Sequence, residues 1–181
     1  MNHMKTKAPQ IFTLERLNTP TGWMLVVTDA EQRVRAVEWE THEARMKRLL
    51  RLHYGEGGYE LRPAEQATPA VEALRRYFGG ELSAIDEVVT HTEGTEFQRS
   101  VWDALRRIPA GETLSYSGLA AKIGRPAAVR AVGMANGSNP IPVVVPCHRV
   151  IGANASLTGF GGGLERKKWL LEHERMHAQG G

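Results

Sequence analysis

Three short runs rich in bulky and β-branched apolar residues, at 11–17, 23–28 and 34–39, predict strands near the start of the chain. Asn18-Thr19-Pro20-Thr21-Gly22 is a turn sequence between the first two, and a polar connector at 29–32 leads to the third. A small antiparallel meander follows from that order. The period then changes, and a helix is expected over about 41–53. Residues 54–68 carry three glycines and a proline and read as loop. A second helix, over about 69–78, opens on Pro69 and stops at Gly79-Gly80.

Near Gly94 the pattern turns mainly helical. Thr95-x-x-Gln98 is a capping box, and Phe97, Val101, Leu105 and Ile108 recur at helical spacing before Pro109-Ala110-Gly111. A short helix at 117–123, a turn at Gly124-Arg125 and a helix opened by Pro126 and running to about 136 suggest a helix-turn-helix. Ala127, Ala128, Ala131, Gly133 and Ala135 leave that second helix nearly bare, so its backbone can come close to another surface. The valines between Pro142 and Pro146 read as a short buried strand, with Val145 kept extended by the proline after it. A last helix is expected over 164–174.

Composition is that of a globular protein: 181 residues, 41% hydrophobic and 24% charged. The length suits one domain or two small ones, and the change near Gly94 places a division between 1–92 and 93–181. The net charge of +3 is uneven, with 12 Lys/Arg against 13 Asp/Glu in residues 1–90 and 11 against 7 thereafter. A polyanionic partner for the second half is consistent with that. No apolar run approaches the roughly 20 residues that span a bilayer, and the basic N-terminus has no apolar core behind it, unlike a secretory leader. A single cysteine excludes an internal disulfide and a thiolate zinc cluster, which points to a reducing, cytoplasmic setting.

That cysteine, Cys147, is the main chemical candidate. Taken alone it could be a small buried hydrophobe, but His148 and Arg149 follow at once, and such neighbours favour a thiolate. Adjacent side chains on extended backbone point apart, so either the chain turns at Cys147 or a water relays the proton to His148. A third group should orient the imidazole. Glu174 is the candidate, because it lies three and four residues beyond Leu171 and Leu170 on one helix face. The same position suits a frayed, solvated helix end. His173-Glu174-x-x-His177 matches the H-E-x-x-H zinc pattern, but only four residues follow it, so no metal is expected there. Thr158-Gly159-Phe160-Gly161-Gly162-Gly163 would let backbone approach a ligand, and it lacks the order of a nucleotide-binding loop.

Pro146-Cys147-His148-Arg149-Val150, preceded by Gly137-Ser138-Asn139-Pro140 and followed by Lys167-Lys168-Trp169-Leu170-Leu171-x-His173-Glu174, resembles the O6-alkylguanine-DNA alkyltransferases. The likeness covers residues 95–174 and extends more loosely to Ala36-Val37-Glu38-Trp39 and Tyr77-Phe78-Gly79-Gly80, as in bacterial members without a regulatory domain. It implies an α+β fold: a ribonuclease-H-like N-terminal domain with a small antiparallel sheet and helices, and a winged-helix-like C-terminal domain. It also implies single-turnover, irreversible transfer of an alkyl group from guanine O6 in double-stranded DNA, or from thymine O4, to Cys147. No cofactor, metal or membrane is implied, and the expected state is monomeric. His148 and Glu174 would complete the catalytic set, Tyr116 would help turn the nucleotide and donate toward guanine N3, and Asn139 would act as a hinge. Arg130 would enter the base stack, with Tyr116, Ser117, Ala128, Ala131 and Gly133 on the DNA-facing surface. The carbonyls of Cys147 and Val150 would read the guanine amine, while Pro142, Phe160, Gly161 and Gly162 would shape the alkyl pocket. Phe160 stands where many members have tyrosine, and Gly161 where some have serine.

Three other readings compete. A non-catalytic relative that binds alkylated DNA and recruits other factors would lack the cysteine of this motif. A transcription regulator would leave Cys147, His148 and Glu174 without purpose. A thiol hydrolase would turn over repeatedly and need an oxyanion hole.

Overall fold

The computed structural model describes residues 8–152 and 160–178. Strands β1 (Gln10–Thr19), β2 (Gly22–Thr28) and β3 (Val34–Trp39) form the expected meander, with Thr13 opposite Thr28 and Met24 opposite Trp39. Gly22 makes the first turn with φ +117°, a conformation that costs glycine little. After a 3-10 turn at Glu40–His42, helix α1 (Glu43–Tyr54) packs over the sheet. The alternation of β2 divides its side chains between two faces. Leu25 and Val27 join Phe12, Ala36, Met46 and Leu50 under α1, while Met24 and Val26 enter the larger core.

The region read as loop contains a strand. β4 (Tyr59–Pro63) pairs parallel to β1 from Gln10–Tyr59 to Leu14–Pro63, so the order is β3-β2-β1-β4 and the sheet is mixed rather than purely antiparallel. Its signal is faint because it lies at the edge. Only Tyr59 and Leu61 carry apolar bulk, and Pro63 is tolerated where no neighbour needs its N–H. Helix α2 (Pro69–Phe78) has the predicted bounds, and Thr68 caps it by accepting from the Val71 N–H at 3.4 Å.

In the second half α3 (Glu96–Leu105) carries the capping box in full, with Thr95 and Gln98 bonded reciprocally at 3.0 Å. It stops at Leu105, and Ile108 is buried in the turn beyond. Two-residue strands β5 (Leu114–Ser115) and β6 (Val150–Ile151) pair in parallel. Helices α4 (Tyr116–Lys122) and α5 (Val129–Gly137) form the helix-turn-helix. Pro126 does not open α5. Residues 125–128 are a turn, closed by the Ala128 N–H donating to the Arg125 carbonyl, and the helix begins three residues later. Helix α6 (Leu164–Ala178) runs past Glu174 by a full turn.

The valine run is buried but is not a strand. Residues 141–145 form a turn in which Val143 has φ +73° and the Val145 N–H donates to the Ile141 carbonyl at 2.9 Å. Asn139 supplies what a neighbouring strand would have supplied. Its Oδ1 accepts from the Ile141 N–H at 2.9 Å, and its Nδ2 donates to the Val145 carbonyl at 2.8 Å. One continuous core then joins Trp39 and Tyr77 from the first half to Trp102, Val132, Val144 and Leu170 from the second. The architecture is α+β.

Candidate active site

Cys147 opens a single 3-10 turn, Cys147–Arg149, so of the two geometries the sequence left open the chain takes the turn. All three residues are buried. Burial pushes the Cys147 thiol up, and the Asn139 amide with the charges of Arg45 and Lys167 pulls it back only in part. That shift favours the protonated thiol.

The imidazole of His148 is oriented by its neighbours. Glu174 is fully buried, not frayed. Its burial alone would raise the carboxyl, but His148 and Arg149 outweigh that and hold it well below the usual carboxylate range. An ionised carboxylate only accepts, so the 2.8 Å contact between His148 Nε2 and Glu174 Oε2 requires the proton on Nε2. In the neutral form of the ring, Nδ1 would then carry the lone pair. It is buried and has no hydrogen-bond partner among the described residues. Arg149 clamps the carboxylate from Nε to Oε1 at 2.8 Å and from Nη2 to Oε2 at 2.9 Å, and its Nη1 donates to the Ile108 carbonyl at 2.6 Å. The Tyr77 hydroxyl donates to Glu174 Oε2 at 2.6 Å.

A narrow pocket reaches Cys147 between Asn139, Pro142, Phe160, Gly161 and Gly162, all read from the sequence. It is lined as well by Glu38, Trp39, Arg45, Asn136 and Gly137, which were not. Gly162 is required there, because a Cβ at that position would lie 2.5 Å from the Trp39 ring. Phe160 meets the same ring edge-on at 5.8 Å. Thr158 and Gly159 of the glycine loop lie outside the described residues. Arg45 crosses from α1 to donate to the carbonyls of Gly137 at 2.8 Å and Asn139 at 3.1 Å, while its other nitrogen pairs with buried Glu38 at 2.8 Å. Its distance in sequence, not its chemistry, kept it out of any local pattern.

The two carbonyls proposed to read a guanine amine already have internal donors. Asn136 Nδ2 approaches the Cys147 carbonyl at 3.4 Å, and Lys167 Nζ donates to that of Val150 at 2.7 Å. A carbonyl has two lone pairs, so each can take a second donor. The Asn136 Oδ1 is buried without a partner among the described residues.

The remaining candidates form a separate surface. Arg130, Ala131 and Ser117 are exposed, Tyr116, Ala128 and Gly133 are half-buried, and none lines the thiol pocket. Ala135 faces inward, whereas Met134 stands 73% exposed, so the outer face of α5 carries two long side chains rather than one. In the H-E-x-x-H segment, His173 Nε2 donates to the Tyr77 carbonyl at 2.7 Å and His177 Nδ1 to the His173 carbonyl at 2.7 Å. Glu174 is held by Tyr77, His148 and Arg149. Among the described residues no group of His, Cys, Asp and Glu is placed to hold a metal ion.

Residues 96–176 match the family model described as 6-O-methylguanine DNA methyltransferase, DNA binding domain. The chain is 53% identical over 160 residues to the methylated-DNA–protein-cysteine methyltransferase of Salmonella typhimurium, covering 88% of this chain and 94% of that protein. It is 60% identical over 109 residues to the enzyme of that name from Mycolicibacterium paratuberculosis, covering 60% and 66%. Mycobacterium tuberculosis OGT, solved in complex with DNA, superposes with a TM-score of 0.76 at 38% identity, over 92% of this chain and 94% of that one. The O6-methylguanine-DNA methyltransferase of Pyrococcus kodakaraensis gives a TM-score of 0.68 at 27% identity, over 90% and 98%. With a sole thiol set in such a network, and likeness of this extent, the chain belongs to the methylated-DNA–protein-cysteine methyltransferase family.

Proposed function

We propose that this protein reverses DNA alkylation directly, taking the alkyl group from guanine O6 onto Cys147 once per molecule. The observation that carries the reading is His148, whose Nε2–H is committed to Glu174 and whose Nδ1, without a partner among the described residues, is left as a base beside the thiol. A water relays the Cys147 proton to Nδ1. The sulfur forms a bond to the alkyl carbon as the carbon–O6 bond breaks, and the electron pair stays with guanine, which takes up a proton as Tyr116 donates toward N3. The thiol loses one proton and guanine gains one, so the step needs no oxidant, reductant or cofactor. A thioether offers no route back.

Double-stranded DNA is the partner. The helix pair α4–α5 supports that reading, with Arg130 entering the base stack and the small residues Ala128, Ala131 and Gly133 admitting close approach to the minor groove. Ser117 and Tyr116 flank it. We read residues 1–92 as the ribonuclease-H-like part, in a cytoplasmic and monomeric protein, and 93–181 as winged-helix-like. The sheet order β3-β2-β1-β4 and the helix-turn-helix support this division.

The test is intact mass after incubation with an oligonucleotide bearing one O6-methylguanine. One added methyl per chain, mapped to Cys147 and absent from Cys147→Ser, is expected. An unchanged mass with DNA binding retained would favour the non-catalytic alternative instead.

A further inference from the structure

Tyr77 sits on α2, in the half of the chain that carries neither the thiol nor the helix-turn-helix. It is fully buried, and its hydroxyl donates at 2.6 Å to Glu174 Oε2, the same oxygen that accepts from His148 Nε2 at 2.8 Å. Arg149 Nη2 reaches that oxygen too, at 2.9 Å. Three donors therefore share one carboxylate oxygen.

We propose that Tyr77 is a positioning residue of the transfer reaction, competing with His148 for the charge on Glu174 Oε2 and so setting how strongly His148 holds the thiol proton. The inference rests on the reading of His148 as the base. A charge-assisted hydrogen bond drains charge from its acceptor. Each further donor on Oε2 leaves less negative charge for the imidazolium that forms when Nδ1 takes a proton. Without the Tyr77 hydroxyl, the imidazolium would face a more basic carboxylate and would be favoured. Tyr77 remains a donor throughout, because burial and the Glu174 charge push its phenol well above the ordinary range.

The other groups around this carboxylate are accounted for. Arg149 comes from the same 3-10 turn as His148, and it donates twice to Glu174 and once to the Ile108 carbonyl. His173 precedes Glu174 on α6, packs edge-on to Tyr77 at 5.3 Å, and donates to the Tyr77 carbonyl. Lys167 and Arg45 act on the Cys147 side. The Tyr77 hydroxyl is an uncharged donor from outside the His148 turn, so it can be altered without changing the charge count around Glu174.

The experiment is the pH–rate profile for alkylation of Cys147 by free O6-benzylguanine, followed by intact mass, which separates the chemistry from DNA binding. Wild-type transfer to Cys147 is the control for the reaction itself. Its absence would sink the proposed function rather than the role of Tyr77. In Tyr77→Phe the midpoint of the acid limb should rise by about half a pH unit or more. Replacing Tyr77 with 3-fluorotyrosine, a more acidic donor of nearly the same shape, should lower it. A merely structural role would reduce the rate equally at all pH values and leave the midpoint in place. If Tyr77→Phe does not fold, the fluorotyrosine protein still reads the sign. Midpoints that coincide with wild type would overturn the inference.

Discussion

The side chain on which most of the site converges is Glu174, and its ionisation links the chemistry to stability. Its carboxyl is held below the ordinary range in the folded protein, so the pairing contributes stability that is fully present above about pH 4.3, the unfolded value. That contribution is lost as the pH falls further, through the folded value. Glu174→Gln should cost about 3–5 kcal/mol at neutral pH, the penalty of breaking a buried pair by removing one partner. In urea unfolding at a series of pH values, its deficit against wild type should narrow below pH 4. A constant deficit would show that the charge is not what matters. The sequence disclosed Cys147, His148 and Glu174 because they are adjacent or at helical spacing. Tyr77 and Arg45 could not be seen that way, since each meets the site across more than ninety residues.

At the scale of elements, strands and helices with strong periodicity were legible, and those held by side chains were not. β1, β2, β3, α2 and the α3 capping box follow from local pattern. The edge strand β4 and the turn before Cys147 do not. In that turn three consecutive valines suggest a strand, yet Asn139 satisfies backbone groups that strand pairing would otherwise take. Burial was readable from the valines, but conformation was decided by one side-chain amide two residues before the turn. Asn139→Ala should therefore destabilise the protein by about 1–3 kcal/mol for each buried group left without a partner. Equal stability of wild type and alanine variant in thermal unfolding would remove Asn139 from this role.

For the molecule as a whole, the thiol pocket and the exposed face of α4–α5 are separate regions with separable roles. Arg130 is exposed and takes no part in the pocket lining, so it should matter only when a base must leave a duplex. Arg130→Ala should slow repair of O6-methylguanine in duplex DNA at least about tenfold, one lost contact of roughly 1.4 kcal/mol. Reaction with free O6-benzylguanine should change little. Equal losses on both substrates would argue against base extrusion by Arg130. The charge asymmetry foreshadowed a polyanion partner for this half, but it could not say which surface would meet it.

The long-range contacts also bear on time. Tyr77 meets Glu174 across 97 positions, and Arg45 meets Gly137 and Asn139 across 92 and 94. Contacts of such separation bear loop-closure entropy before they are rewarded, which slows folding. A chain that has built its helices but not yet docked α6 on α2 has an unassisted thiol, with no carboxylate behind its histidine. A protein that can react only once would thus be protected from spending its nucleophile until folding is complete.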